Sequence, residues 1–179
     1  LDAWRILSHL QEDLTLPQSA SLPPLGTVLE LLNHMIITLA AFSGLGVENM
    51  TRGPGWHCLD MGRRLERALY TARLLRSLLV DVGDHEEAVL ETLLEIADSS
   101  MTYRSRYLTT LQYAPVLDLV LLDDTNPRSV VYQCGVLAEH VEHLPRDRSR
   151  PSLSPAQRLA MLLLTSLRLS EIEVLCEVS

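Results

Sequence analysis

The residues best suited to chemistry in this chain lie in one segment, 53–68. It reads Gly-Pro-Gly-Trp-His-Cys-Leu-Asp-Met-Gly-Arg-Arg-Leu-Glu-Arg-Ala. Arginine offers paired donors to a carboxylate or a phosphate, so several arginines on one helix could bind either group. Glu66 could orient such a ligand or, in a cleft that raises its pKa, act as a general base. The chain carries fifteen basic residues, all of them arginine, which excludes a lysine nucleophile or a Schiff-base lysine on this chain.

The same charges could instead hold helices together. Asp60 can reach Arg63 and Arg64 at three and four residues along a helix, and Glu66 can reach Arg63. Buried charges must be paired and hydrogen-bonded, so a central helix with this composition predicts ion pairs. The spacing by itself favours a salt-bridged helix over a binding site.

The helix that carries these residues begins at or just after the Gly-Pro-Gly break and ends near Val80. At about 100° per residue, one apolar stripe emerges on it. Its members are Cys58, Met61, Leu65, Ala68, Leu69, Ala72, Leu75 and Leu79. Leu74 and Leu78 lie on another side, which is typical of a central helix with partly buried charge.

The segment 86–108 predicts another helix, with Arg104 in the middle of its apolar stripe. An arginine on a core face needs an acid nearby. We therefore predict a buried or half-buried pair between Glu66 and Arg104, with Asp98 as the second candidate acid.

A third polar cluster surrounds Asn126, which we expect to cap a helix with Pro127 at its first position. Arg128 would then lie in the first helical turn, where the macrodipole disfavours a cation. Asp123, Asp124 or a bound anion would balance it. The acids and Asn126 could also ligate a divalent cation, but turn and cap chemistry is the favoured interpretation.

These segments belong to an all-helical plan, and we predict a single all-α domain over 1–179, a bundle of about six to seven helices. Helices are expected at 2–14, 25–44, 55–80, 86–108, 114–122, 127–144 and 154–176. The uncharged run 31–47 is slightly shorter than the ~20 residues needed to span a bilayer, so it is interpreted as a buried core helix rather than a membrane segment.

Composition narrows the function classes. A net charge of −8 argues against a general nucleic-acid binder. Cys58, Cys134 and Cys176 lie far apart on apolar faces, which indicates buried free thiols in a reducing cytosol. His140 and His143 lie three apart with no evident third ligand, so we interpret them as an exposed helix face. We expect no metal ion and no cofactor.

Four segments in order resemble the Alpha-E family of bacterial all-helical domains, named for a Glu-Arg motif. They are 50–56, 62–68, 98–107 and 121–129, and the second contains Glu66-Arg67. The family domain resembles a duplication, and one copy of each motif implies that this chain is its C-terminal half. A site shared between the halves would be incomplete here, and an exposed apolar face would favour self-association into a homo-oligomer.

The resemblance implies a partner of ATP-dependent amide synthesis, and the free thiols indicate a cytoplasmic location. Alpha-E domains lie beside, or are fused to, circularly permuted ATP-grasp proteins, which join a carboxylate to an amine through an acyl phosphate. The expected partners are an ATP-grasp protein and the missing N-terminal half. The motif residues then form the expected polar site: Arg63, Glu66, Arg67, Asp98, Tyr103, Arg104, Asp124, Asn126 and Arg128. Three roles stay open, namely an accessory domain with an anion-binding site, an enzyme with Glu66 as general base, and a purely structural network.

Overall fold

The computed structural model describes residues 2–14, 23–79, 85–107, 110–145 and 152–177, which form helices and turns and contain no strand. The described ranges hold nine α-helices: α1 Asp2–Asp13, α2 Leu25–Asn49, α3 Pro54–Leu79, α4 Glu86–Ile96, α5 Ser100–Tyr107, α6 Tyr113–Leu117, α7 Val130–Glu142, α8 Pro155–Arg168 and α9 Ile172–Glu177. The all-α prediction is confirmed. The helices outnumber the predicted six to seven because the segments expected at 86–108 and 154–176 are each divided in two.

The chain divides into two compact units, 1–56 and 57–179. The expectation of a single domain over 1–179 stays a prediction. In the first unit α1 packs against α2. None of the residues of α2 is buried, so the interpretation of 31–47 as a buried core helix is wrong. The physical reason is that a 25-residue apolar helix has more surface than the 12-residue α1 can cover.

By length and composition alone, α2 could cross a membrane. Its 25 residues include a window with a mean hydropathy of 1.6. A core helix or a signal sequence meets the same criterion, so this feature is weak evidence for any of the three. The cytoplasmic location stays a prediction.

The second unit is built around a core to which α3, α4, α6 and α7 all contribute. Its fully or almost fully buried members include Leu90, Leu93, Leu94, Val116, Leu119 and Val120. Burial of a leucine or valine side chain stabilises a fold by roughly 1.5–3 kcal/mol. This core fixes the parts of α3 and α7 that carry the polar residues.

A Schellman motif separates α4 from α5 where one helix was expected. The backbone N–H of Ser99 donates to Leu94 O at 2.8 Å, and that of Asp98 donates to Glu95 O at 3.0 Å. Asp98 occupies the left-handed region at φ 50°, a conformation that ends a helix and that Asp and Asn tolerate better than most residues. The chain turns here, so the apolar stripe of α4 does not continue into α5.

The segment between α6 and α7 also differs from its prediction. A π-helical turn, Asp118–Leu122, continues α6, and α7 begins only at Val130. Ser129 is the N-cap, because its side chain accepts a hydrogen bond from Tyr132 N. Asn126 instead forms a turn in which its Oδ1 accepts from Arg128 N at 3.1 Å. Arg128 therefore lies directly before the N-cap of α7 and not in its first turn, as was expected.

Candidate functional site

The buried face of α3 is rotated relative to the predicted stripe. Asp60, Ala68, Thr71, Leu75 and Leu79 are buried, and they follow one another at helical spacing. Ala68, Leu75 and Leu79 confirm part of the predicted stripe, whereas its members Leu65 and Leu69 are both exposed. The sequence offered leucines on two sides of this helix, and packing against the core chose the side that also carries Asp60.

Asp60 is the centre of a buried network between α3 and α7. Its carboxylate accepts from Arg64 Nε at 3.0 Å and from His140 Nε2 at 2.8 Å. Arg63 adds a longer ion pair at 3.8 Å. The predicted pairing of Asp60 with Arg63 and Arg64 is confirmed. Arg64 also donates to Gln133 Oε1 at 3.4 Å, which ties the network to the first half of α7.

The electrostatics of Asp60 show which effect prevails. Burial alone would raise the pKa of this carboxyl, because the charged form is desolvated. Hydrogen bonds from Arg64 and His140, together with the positive charge of Arg64, outweigh burial and lower the pKa of Asp60 below 3.8. Asp60 therefore stays ionised at neutral pH although only 6% of its surface is exposed.

The network extends through histidines that the sequence interpretation placed elsewhere. His140 is buried, so its interpretation as part of an exposed face is wrong. Its Nδ1 lies 2.9 Å from His57 Nδ1, and the ring of His57 stacks on that of His143 with centroids 4.7 Å apart. The available signal was helical spacing, because His140 lies three residues after Leu137, on the face that Val130 and Cys134 share.

Arg67 behaves differently from its neighbours on the same helix. Its side chain is half-buried, and among the described residues no carboxylate pairs with it. Burial has the largest effect on Arg67 and lowers its pKa. The nearby positive charges of Arg128, Arg64 and Arg63 lower the pKa further. Four guanidinium groups thus act on one another in a chain whose overall charge is −8.

Arg128, in the turn before α7, lies close enough to Arg67 for its charge to lower the pKa of Arg67. Its guanidinium pairs with the carboxylate of Asp98, the residue at the end of α4. The expectation of a carboxylate partner for Arg128 is confirmed, but Asp123 and Asp124 as that partner are wrong. The Schellman motif explains the difference, since it points Asp98 toward the turn that carries Arg128.

Asn126 anchors this turn. Its buried amide donates to Leu119 O at 2.9 Å and to Ser99 Oγ at 3.3 Å, while its Oδ1 accepts from Arg128 N. The favoured turn chemistry is therefore confirmed for Asn126. Three bonds from one buried side chain fix the backbone of Arg128 relative to the end of α4.

A cavity of about 120 Å³ lies between these elements. Arg67 and Arg128 line it together with Tyr70 and Thr71, and Leu74 and Ile96 provide apolar walls. At ~30 Å³ per water molecule, this volume holds about four waters, which is the scale of a carboxylate or phosphate group and far below that of a nucleotide. We refer to it as the Arg67 cleft.

The predicted pair between Glu66 and Arg104 is wrong. Both residues are exposed, and within the described part of the chain they form no ion pair with each other. The helix break at Asp98 is the physical reason, because it turns α5 so that Tyr103 is buried in place of the expected stripe. Met101, which an uninterrupted helix over 86–108 would place beside Arg104 on the apolar stripe, is 78% exposed. The second candidate, Asp98, is also wrong as a partner of Arg104, since it pairs with Arg128.

Two other predicted site residues lie in separate surroundings. Tyr103 is buried, and its hydroxyl donates to Thr110 O at 3.3 Å and accepts from Gln112 N at 3.2 Å. Asp124 is exposed, whereas the preceding Asp123 accepts from Thr125 and pairs with Arg106. Of the predicted site residues, Arg67 and Arg128 line the Arg67 cleft. Asp98 and Asn126 contact Arg128, and Arg63 pairs with Asp60. Glu66, Tyr103, Arg104 and Asp124 lie outside the cleft.

Among the described residues, no cluster of three or more His, Cys, Asp or Glu side chains could hold a metal ion.

Cys134 is buried and Cys176 half-buried, but Cys58 is exposed, so the expectation of three buried thiols is wrong for Cys58. Burial raises the pKa of the Cys134 thiol, which keeps it protonated and unreactive at neutral pH.

Comparison with known families gives a match over almost the whole chain. The model of the Alpha-E family, described as a predicted alpha-helical domain with a conserved ER motif, matches residues 1–178. Glu66-Arg67 is the one place in the sequence where Glu is followed directly by Arg. The match therefore puts the family motif on α3, with Glu66 exposed and Arg67 in the cleft.

Three curated relatives are similar over the same span. Uncharacterized proteins of Mycobacterium bovis and of two strains of Mycobacterium tuberculosis are each 34% identical to this chain over 188 aligned positions. The alignments cover 99% of this chain but 20% of each relative, so the chain spans about a fifth of their length. No solved structure matches the chain.

Proposed function

This chain belongs to the Alpha-E family, and on that premise we propose that it is an accessory domain of an ATP-grasp amide ligase system. In this proposal the Arg67 cleft binds a carboxylate or phosphate group of the substrate or of an acyl phosphate intermediate. The proposed partnership with an ATP-grasp protein rests on the family resemblance. The proposed anion site rests on the geometry of the cleft.

One observation carries the anion site. Arg67 is a half-buried guanidinium in a small cavity, without a carboxylate partner among the described residues and with other cations close by. A cation in such surroundings is unfavourable by itself, because burial removes water and like charges repel. A bound anion would relieve both effects, and the planar guanidinium could hold it through two parallel hydrogen bonds.

Arg128 supplies the second half of the site. Its pair with Asp98 and the hydrogen bonds of Asn126 hold it at the cleft, so little order is lost when a ligand binds. Because Asp98 lies at the surface, its ion pair with Arg128 is a weak competitor for a ligand anion. The two arginines together match the charge and the size of a carboxylate or phosphate group.

A structural role is favoured for the other part of the motif helix. Asp60, Arg64 and His140 satisfy one another inside the protein, which is what a network that fixes the register of two helices requires. The third role, with Glu66 as general base, needs that carboxyl in a cleft. Glu66 is exposed, so its role as a base has no support from burial.

Binding of simple anions tests the site directly. We expect inorganic phosphate and acetate to bind the intact protein, and Arg67→Met to weaken that binding about tenfold or more, since hydrogen bonds to charged groups contribute about 1.5–3 kcal/mol. Isothermal titration calorimetry at low salt measures the effect. Arg73→Met, an exposed arginine on the same helix, is the matched control and should bind as the wild type does.

Turnover of the ligase reaction tests the proposed partnership between this chain and an ATP-grasp protein. ATP-dependent phosphate release by the complete system, over a panel of amino acids, should fall in Arg67→Met while Arg73→Met retains activity. Equal anion binding by Arg67→Met and the wild type would contradict the site. Full turnover by an Arg67→Met protein that no longer binds anions would contradict the role of the site in the reaction.

A further inference from the structure

A second cavity, of about 220 Å³, lies between α4 and α5 and is separate from the Arg67 cleft. We propose that it binds a small zwitterion, that is, a free α-amino acid. Glu87 and Glu91 line it from α4, and Arg104 and Ser100 line it from α5. No residue of the Arg67 cleft takes part, so this inference stands independently of the proposed anion site.

The acids on α4 favour a cationic group. Glu87 and Glu91 lie four residues apart, so their side chains are neighbours on one face of the helix and repel each other. Within the described part of the chain neither forms an ion pair or hydrogen bond through its side chain. An ammonium group between them would offset that repulsion and could donate to both carboxylates.

Arg104 favours an anionic group at the opposite wall. Among the described residues its guanidinium also has no ion-pair partner, although two carboxylates line the same cavity. The cavity therefore holds charges of opposite sign apart. A ligand that carries both an ammonium and a carboxylate group would bridge them, whereas a ligand with one charge would leave one wall unpaired.

Ser100 provides an observation that does not depend on charge. Its Oγ is the one buried side-chain polar atom without a hydrogen-bond partner that is recorded for the described residues. Buried hydroxyl groups are almost always hydrogen-bonded. Ser100 lines the cavity, but its Oγ lies beneath the cavity surface, so the side chain would have to turn toward the cavity before the hydroxyl could donate to the ligand carboxylate that Arg104 holds.

The volume of the cavity and the fixed position of one wall fit a free amino acid. At ~30 Å³ per water, 220 Å³ corresponds to about seven water molecules, which is enough for a small amino acid but not for a folded peptide. Tyr103 forms part of the wall, and its hydroxyl is already occupied by Thr110 and Gln112. That side of the cavity is therefore held in place before a ligand arrives.

The test is binding of a panel of free amino acids, from glycine to glutamate, to the intact protein by calorimetry or ligand-observed NMR. We expect at least one to bind. Its amide, which keeps only the ammonium group, and its N-acetyl derivative, which keeps only the carboxylate, should each bind about tenfold more weakly. Arg104→Met and Glu91→Gln should weaken binding of the free amino acid by a similar factor.

Matched controls separate the site from a general charge effect. Glu95→Gln changes an exposed acid one turn further along α4, and Arg73→Met removes an exposed arginine elsewhere. Both should bind the amino acid as the wild type does, and Arg67→Met should as well. The proposal is overturned if no amino acid binds, if the amide or the N-acetyl form binds equally well, or if the controls lose as much affinity as Arg104→Met.

Discussion

Asp60 and Arg67 lie seven residues apart on α3, yet the structure treats their charges in opposite ways. Asp60 accepts hydrogen bonds from Arg64 and His140, and the pKa of its carboxyl falls despite burial. Arg67 is half-buried beside other cations, and burial together with their charge lowers its pKa as well. For the acid the lowered pKa means that the charge is stabilised, whereas for the base it means that the charge is disfavoured.

This difference separates a structural charge from a charge available to a ligand. The free energy of the Asp60 network is realised within the fold, so removing Asp60 should cost stability. The cation at Arg67 forms no ion pair among the described residues, and the attraction of Asp60 for it is weaker than the repulsion from each of the three nearby arginines, so Arg67 remains available to an anion. A family motif that spans both kinds of charge can therefore combine architecture with recognition.

The largest effect that would test this contrast is loss of Asp60. Asp60→Asn removes the negative charge but keeps the shape, which leaves Arg64 and His140 without their common acceptor. Breaking a buried pair in this way costs about 3–5 kcal/mol. Chemical unfolding in urea measures the loss, and circular dichroism confirms that the variant is still helical.

Asp98→Asn is the control for that experiment. It also removes a carboxylate from an ion pair, but the Asp98 side chain is 75% exposed, so the loss should stay below about 1 kcal/mol. If Asp60→Asn lost no more stability than Asp98→Asn, the Asp60 network would not be a structural element and the contrast with Arg67 would fail.

The pH dependence of stability sharpens the same contrast. Because the pKa of folded Asp60 lies below its unfolded value of 3.8, this carboxyl stabilises the fold above that value, and the contribution is lost as the pH falls through the folded pKa. The difference in unfolding free energy between wild type and Asp60→Asn should therefore shrink as the solution is acidified below pH 3.8. A difference that grows below pH 3.8 would contradict the lowered pKa.

The smallest effect is expected at Arg67. Arg67→Met removes a disfavoured cation and keeps an unbranched side chain, so the unfolding free energy should change by no more than about 0.5 kcal/mol, toward greater stability. Salt near 1 M shortens the Debye length to about 3 Å and should reduce any gain, because it screens the repulsion among the arginines. A loss of about 2 kcal/mol or more would show that Arg67 has a structural partner, which would make the two regions alike.

Several features of the site could be predicted from local sequence, because the distances involved are short. Asp60, Arg63 and Arg64 pair at helical spacing, as expected. Away from the site, the last helix was expected to begin at 154, and Ser154 and Gln157 form a capping box there, with Pro155 in the first turn of α8. In each case the partners lie within four residues, so the geometry of one helix decides the contact.

Other features could not be predicted, because they depend on the backbone conformation of single residues. Asp98 in a left-handed conformation ends α4, and that single residue moves Arg104 out of the core and brings the Asp98 carboxylate to Arg128. Helical periodicity assumes an uninterrupted helix, and a break resets the angle of every later residue. The pairing of Glu66 with Arg104 was wrong for this reason.

The sequence by itself determined the helical class, the family, and the presence of an arginine-rich helix with one acid at the right spacing to pair. Only the tertiary structure decided that the buried face of α3 is rotated from the predicted stripe toward Asp60, that His140 completes the Asp60 network, and that Arg67 and Arg128 share a cleft. Helix propensity and short-range pairs are encoded within a few residues. The choice between two leucine-bearing faces depends on what the rest of the chain packs against them, and that choice turned Asp60 inward, left Glu66 at the surface and kept Arg67 at the border between them.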